Sequence, residues 1–89
     1  ISPEFYTTIK RKGKELITEL EKEIPESIPH STEIHVGLPG QMIASVAKEG
    51  HFDLIIMGNS GKGALDAFVT GSVSQYVIHH ANCPVMIVK

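Results

Sequence analysis

Hydrophobic residues recur along this chain with two different periods. Phe5, Ile9, Leu16, Ile17, Leu20 and Ile24 follow one another at spacings of one, three, four and seven residues, which gathers them on one face of an α-helix. Lys10, Lys12, Glu15, Glu19 and Glu23 fill the other side. Ser2, Pro3 and Glu4 form an entry signal: serine caps free amides, proline suits the first helical position, and glutamate suits the positive end of the dipole. Gly13 weakens the middle by about 1 kcal/mol relative to alanine. Pro25 stops this helix, and "PESIPHS" reads as a connecting loop.

The period then falls to two. In "TEIHVGLP", Ile34, Val36 and Leu38 point one way and Glu33 and His35 the other, which predicts a short strand closed by Pro39-Gly40. Met42, Ile43, Val46 and Ala47 mark a second helix, with Gly50 as its left-handed cap. "FDLIIMG" is an apolar run bounded by glycines and broken only by Asp53, consistent with a strand buried on both faces of a parallel sheet. Val73, Val77 and Ala81 predict a third helix with Ser72 near its start; Pro84 ends it, and "VMIVK" is a last strand. Helix and strand alternate, which argues an α/β layer with parallel strands and right-handed crossovers.

Composition narrows the function classes. The 89 residues make one small domain or part of one, 42% hydrophobic and 20% charged, with a net charge of −2. That balance gives no electrostatic case for nucleic acid or an anionic membrane surface. The apolar runs are a few residues long, short of the roughly 20 that span a bilayer. The lone Cys83 cannot form an internal disulfide, so a reducing cytoplasm is the expected setting. No signal peptide is visible, and the first residue is Ile1 rather than methionine, which raises the expectation of further residues upstream.

The chemistry concentrates in residues 58–72, "GNSGKGALDAFVTGS". In open α/β sheets, ligands sit at the carboxyl ends of strands, where loops feed helices. Gly58 ends a predicted strand, Gly61 lets the backbone turn without a Cβ in the path of an anion, and Gly71-Ser72 stand at the next helix. Ser60, Ser72 and Ser74 offer hydroxyls and Lys62 a charge. A P-loop is excluded, because Gly61-Lys62 precedes Gly63 and Ile56 stands five residues before Gly61. The dinucleotide fingerprint fails too, because "GKGALD" has Asp66 at the third glycine place. On physical grounds alone, a plain turn and a phosphate loop both remain open.

The spacing Gly58, two residues, Gly61, nine residues, Gly71-Ser72 resembles the phosphate-binding motif of the ATP-binding universal stress proteins. Both flanks, "DLIIMG" and "GSVSQYVIHHANCPVMIV", are similar to that family as well. The resemblance implies a flavodoxin-like, Rossmann-like sandwich of five parallel strands with flanking helices. It implies ATP, with or without Mg2+, held through its phosphates and ribose at Gly58, Gly61, Gly71 and Ser72, with Val73 and Ser74 as further contacts. It also implies a homodimer paired through the last strand, Val85, Met86, Ile87 and Val88. The family's first two strands and first helix, which carry the adenine contacts, have no counterpart here, so a single domain truncated at its N-terminus is expected. A domain of the same fold that binds no nucleotide and acts by dimerisation is the alternative.

No other residues form a catalytic constellation. His79 and His80 are adjacent on a helix and diverge by about 100°, so His79 is expected exposed and His80 partly packed. His30, His35 and His51 lack metal-ligand spacing, and no metal site is expected. Cys83 reads as a buried structural thiol, Asp53 as a turn or cap residue, and Asp66 as a solvated loop carboxylate. Enzymatic activity is expected to be slow ATP hydrolysis or autophosphorylation at most.

Overall fold

A computed structural model describes residues 2–58 and 69–88. The chain divides into two compact units, Ile1–Val36 and Gly37–Lys89.

The first unit is built on α1, Pro3–Glu21. Its start is the one the sequence predicts: Ser2 is the N-cap, its hydroxyl accepts the Phe5 N–H at 3.1 Å, and Pro3 opens the helix. Its end comes earlier than Pro25. Proline has no N–H for the carbonyl of Glu21, and the Ile24 N–H takes that carbonyl instead at 3.0 Å. The chain tightens into three-residue turns from Lys22 to Ile24. Further on, Ile34 lies over Gly13, where an added Cβ would stand 3.4 Å from Ile34 Cγ2. Gly13 therefore gives this part of the chain room beside α1.

The loop after α1 is fastened to it by His30. Nδ1 donates to the carbonyl of Ile28 and Nε2 to the Glu21 carboxylate, each at 3.0 Å. Only the imidazolium donates from both nitrogens. The Ile28 carbonyl, then the Glu21 carboxylate, accordingly raise the His30 pKa above its ordinary value. A pKa raised by folding gives stability that is whole below the unfolded-state pKa and lost as pH rises through the folded-state value. The clasp therefore weakens on the alkaline side. An NMR titration is expected to place His30 above an unperturbed histidine, and Glu21→Gln to lower it; an unmoved His30 in that variant would refute the clasp.

The second unit holds α2, Pro39–Glu49; β1, Ile55–Gly58; a π-helical turn, Val69–Val73; α3, Ser74–His80; and β2, Val85–Val88. β1 and β2 pair in parallel, with Ile55 opposite Val85 and Gly58 opposite Val88. The core joins Ala47 of α2, Ile55 of β1 and Val77 of α3, with Ile43, Met57, Ala81, Cys83 and Val85 packed around them. Val77 is fully enclosed at 0% exposure. Cys83 is half-buried against this core and free, rather than a fully buried thiol.

Several sequence expectations change. Residues 33–38 form no strand: alternation supplies two faces, but a strand also needs a partner for its backbone, and none pairs with it among the described residues. The sheet described has two strands, not three. Pro39-Gly40 does not close a strand but opens α2, Pro39 taking the N-terminal position that its missing N–H tolerates. "DLIIMG" is covered on one face only, with Ile55 buried and Ile56 exposed. His80 is exposed, although its ring stacks on Tyr76 at 3.9 Å.

The end of α2 also differs. Gly50 has φ −85°, and the left-handed residue is His51, at φ 53°. The Phe52 N–H reaches the Ala47 carbonyl at 3.0 Å and the His51 N–H that of Lys48 at 3.2 Å, the Schellman pairing. A Cβ on Gly50 would run into the Phe52 ring, so glycine is kept there for space, while His51 bears the strain. His51→Gly is expected to raise unfolding stability by about 1 kcal/mol in urea denaturation. A loss would mean that the imidazole contributes more than its backbone costs.

Candidate functional site

Strand β1 runs from the enclosed Ile55 to its carboxyl end at Gly58, which lies opposite Val88 at the sheet's margin. Gly71, Ser72 and Val73 occupy the π-helical turn that leads into α3, and Ser74 is the first α-helical residue. The sequence expectation put Gly71-Ser72 at the start of a regular helix. The structure puts them in a wider turn, a geometry found frequently at functional sites. Gly61, Ser60, Lys62, Gly63 and Asp66 lie outside the described residues.

Burial sorts the described residues by role. Val73 is anchored inward at 8% exposure, and Ser74 at 5%. The Ser74 hydroxyl donates to the Gly71 carbonyl at 3.3 Å, so it braces the turn. Gly71 and Ser72 are exposed. An alternation of buried brace and exposed backbone holds Gly71 at the surface on a firm base.

Among the described residues, nothing packs against the place of a side chain at Gly58 or Gly71. A Cβ built on Gly58 or on Gly71 meets nothing within 4 Å among the described residues, and neither has a left-handed φ. Glycine is required by packing at Gly40, where a Cβ would stand 3.0 Å from the Cβ of Tyr76. At Gly58 and Gly71 no such contact with a described residue exists.

Beside the turn, a shallow cleft of about 240 Å³ runs between Pro39 and Gln41 of α2 and Ser72, Val73 and Tyr76. The sequence reading missed this cleft. Pro39-Gly40 ahead of the apolar positions Met42 and Ile43 was the signal available, because it marks a helix start that allows close approach to a neighbour.

The predicted dimer strand is β2. The Ile55 N–H bonds to the Pro84 carbonyl at 3.0 Å, and Ile55 lies opposite Val85. In a parallel ladder this turns the N–H and C=O groups of Val85 and Ile87 away from β1. Met86 and Val88 expose their side chains, while Val85 and Ile87 point toward the helices. A charge on Val85 or Ile87 would therefore disturb the core, and the edge is better probed through the backbone. Among the described residues, no cluster of three or more His, Cys, Asp or Glu side chains can hold a metal. No helix among them is long and apolar enough to cross a membrane.

Comparison with known proteins gives one family. The model of the universal stress protein family matches residues 3–89. Universal stress protein MJ0531 of Methanocaldococcus jannaschii is 37% identical over 82 residues, which cover 91% of this chain and 48% of that protein. Universal stress protein MJ0577 of the same organism is 36% identical over 95 aligned positions, covering 97% of this chain and 56% of that protein. A universal stress protein of Methanothermobacter thermautotrophicus is 33% identical over 85, covering 91% and 58%. The chain spans about half the length of these relatives.

Proposed function

The chain belongs to the universal stress protein family, and from that premise we propose that it is a nucleotide-binding regulatory module. Membership carries a stress-related role. In this reading ATP, with or without Mg2+, lays its phosphates and ribose against Gly58, Gly61, Gly71 and Ser72, with Val73 and Ser74 beside them. The supporting observation is that Gly58 and Gly71 stand in the family's spacing and that neither is demanded by packing among the described residues. The module is placed in the cytoplasm and pairs with its copy through the outer edge of β2. An open strand edge is a pairing template. Binding rather than hydrolysis is the working activity in this reading.

A second reading favours protein contact without nucleotide. The outer edge of β2, unpaired among the described residues, motivates it. Calorimetric titration with ATP separates the two readings, run on this chain and on one extended upstream to the length of its relatives. Saturable heat in either supports nucleotide binding, and its appearance only in the longer chain assigns the base contacts upstream. Two folded chains that release no heat would leave the contact reading standing.

A further inference from the structure

Gly71 carries a freedom that a binding turn has to control. Without a Cβ, glycine visits backbone conformations that other residues avoid, so the peptide joining Gly71 to Ser72 can turn over at little steric cost. The two orientations differ for an anion. One presents an N–H, which attracts a phosphate oxygen, and the other a carbonyl oxygen, which repels it. A turn that holds phosphate therefore needs something to select between them.

Ser74 is placed to make that selection. It is the one buried polar side chain among the described residues, and its hydroxyl donates to the Gly71 carbonyl at 3.3 Å. A buried hydroxyl keeps such a partner, because losing the bond would leave it unsatisfied. The described residues contain no cis peptide bond, and in a planar trans peptide the C=O and N–H point opposite ways. A Gly71 carbonyl drawn in to Ser74 thus turns the Ser72 N–H away from it, in a turn where Gly71 and Ser72 are both exposed. The same bond takes Ser74 out of the direct contacts. A hydroxyl has one hydrogen to give and an ionised phosphate oxygen only accepts; that hydrogen is committed to Gly71.

We infer that Ser74 is a positioning residue for the phosphate subsite, fixing the Gly71–Ser72 peptide with its carbonyl inward and touching no nucleotide itself. The inference rests on the nucleotide reading and deepens it, since it replaces an expected contact at Ser74 with a role exerted through Gly71. The glycine clears room for the anion, and the serine removes the ambiguity that a glycine brings. Without the brace the peptide spends part of its time turned the wrong way, and apparent affinity falls with the competent fraction.

Calorimetric titration with ATP tests this on wild type, Ser74→Ala and Ser74→Thr in the chain extended upstream, with circular dichroism to confirm folding. Alanine removes the hydroxyl and is expected to weaken ATP binding about fivefold. Threonine keeps a hydroxyl that reaches carbonyls one turn back. It is expected to restore most of the affinity, a recovery that a role in packing alone would not give. A wild type that binds no ATP would defeat the nucleotide reading and this inference with it. Wild-type binding that Ser74→Ala leaves unchanged, or that Ser74→Thr weakens as much as alanine does, would overturn the inference alone.

Discussion

Gly40→Leu is expected to destabilise the second unit by roughly 3 kcal/mol, because it overpacks a buried helix contact. Gly40 is buried in the first turn of α2. A Cβ there would stand 3.0 Å from Tyr76 Cβ and 3.1 Å from Tyr76 Cγ. The Tyr76 Cβ is fixed to the backbone of α3 and cannot rotate aside, so the helices must part. Their separation disturbs the packing of Ala47 on Val77 and the brace beneath Gly71. Gly40→Ala gains helix propensity of up to about 1 kcal/mol but meets the same contact, and a smaller net loss is expected. Urea denaturation of both variants checks the order. A Gly40→Leu protein as stable as wild type would show that α2 and α3 do not approach this closely.

Gly71 should behave in the opposite way. Nothing among the described residues lies within 4 Å of a Cβ placed there, so Gly71→Ala is expected to hold or raise stability by about 0.5 kcal/mol. Gly71→Leu should also leave the fold formed. On the nucleotide reading, however, the leucine side chain fills the space that a phosphate would take. A loss of ATP affinity of tenfold or more is expected, which corresponds to about 1.4 kcal/mol. Gly40 and Gly71 thus separate the two uses of glycine, one closing a helix contact and the other clearing a surface. If Gly71→Leu unfolds the protein, the open space at Gly71 is not real and the distinction fails.

The fold was legible where local pattern and tertiary partner agreed. Ser2-Pro3 fixed the start of α1, since its capping hydrogen bond closes within four residues. Ile55 and Val85 each sit in a short apolar run between breakers and form the parallel pair. The strand expected around Ile34, Val36 and Leu38 failed because alternation says nothing about whether a neighbour is available. The end of α2 was misread by one residue, because Gly50 invited the left-handed position. That position fell on His51, Gly50 being needed where the Phe52 ring passes.

The candidate site was legible as spacing but not as geometry. Gly58 and Gly71-Ser72 were identified from their separation in the sequence, a pattern any turn chemistry could share. That no described residue lies within 4 Å of a Cβ on either glycine, and that Ser74 turns its hydroxyl back to Gly71, depends on packing that no local window contains. The π-helical turn likewise has no signature in "VTGSV", because one extra residue per turn is set by packing on both sides.

The most direct test is the ATP titration of wild-type and Gly71→Leu protein side by side, in the chain extended upstream. Saturable binding by the wild type, reduced tenfold or more in a Gly71→Leu variant of unchanged stability, is the predicted result. Equal affinity in the two folded proteins would contradict a phosphate site at the Gly58–Gly71 margin.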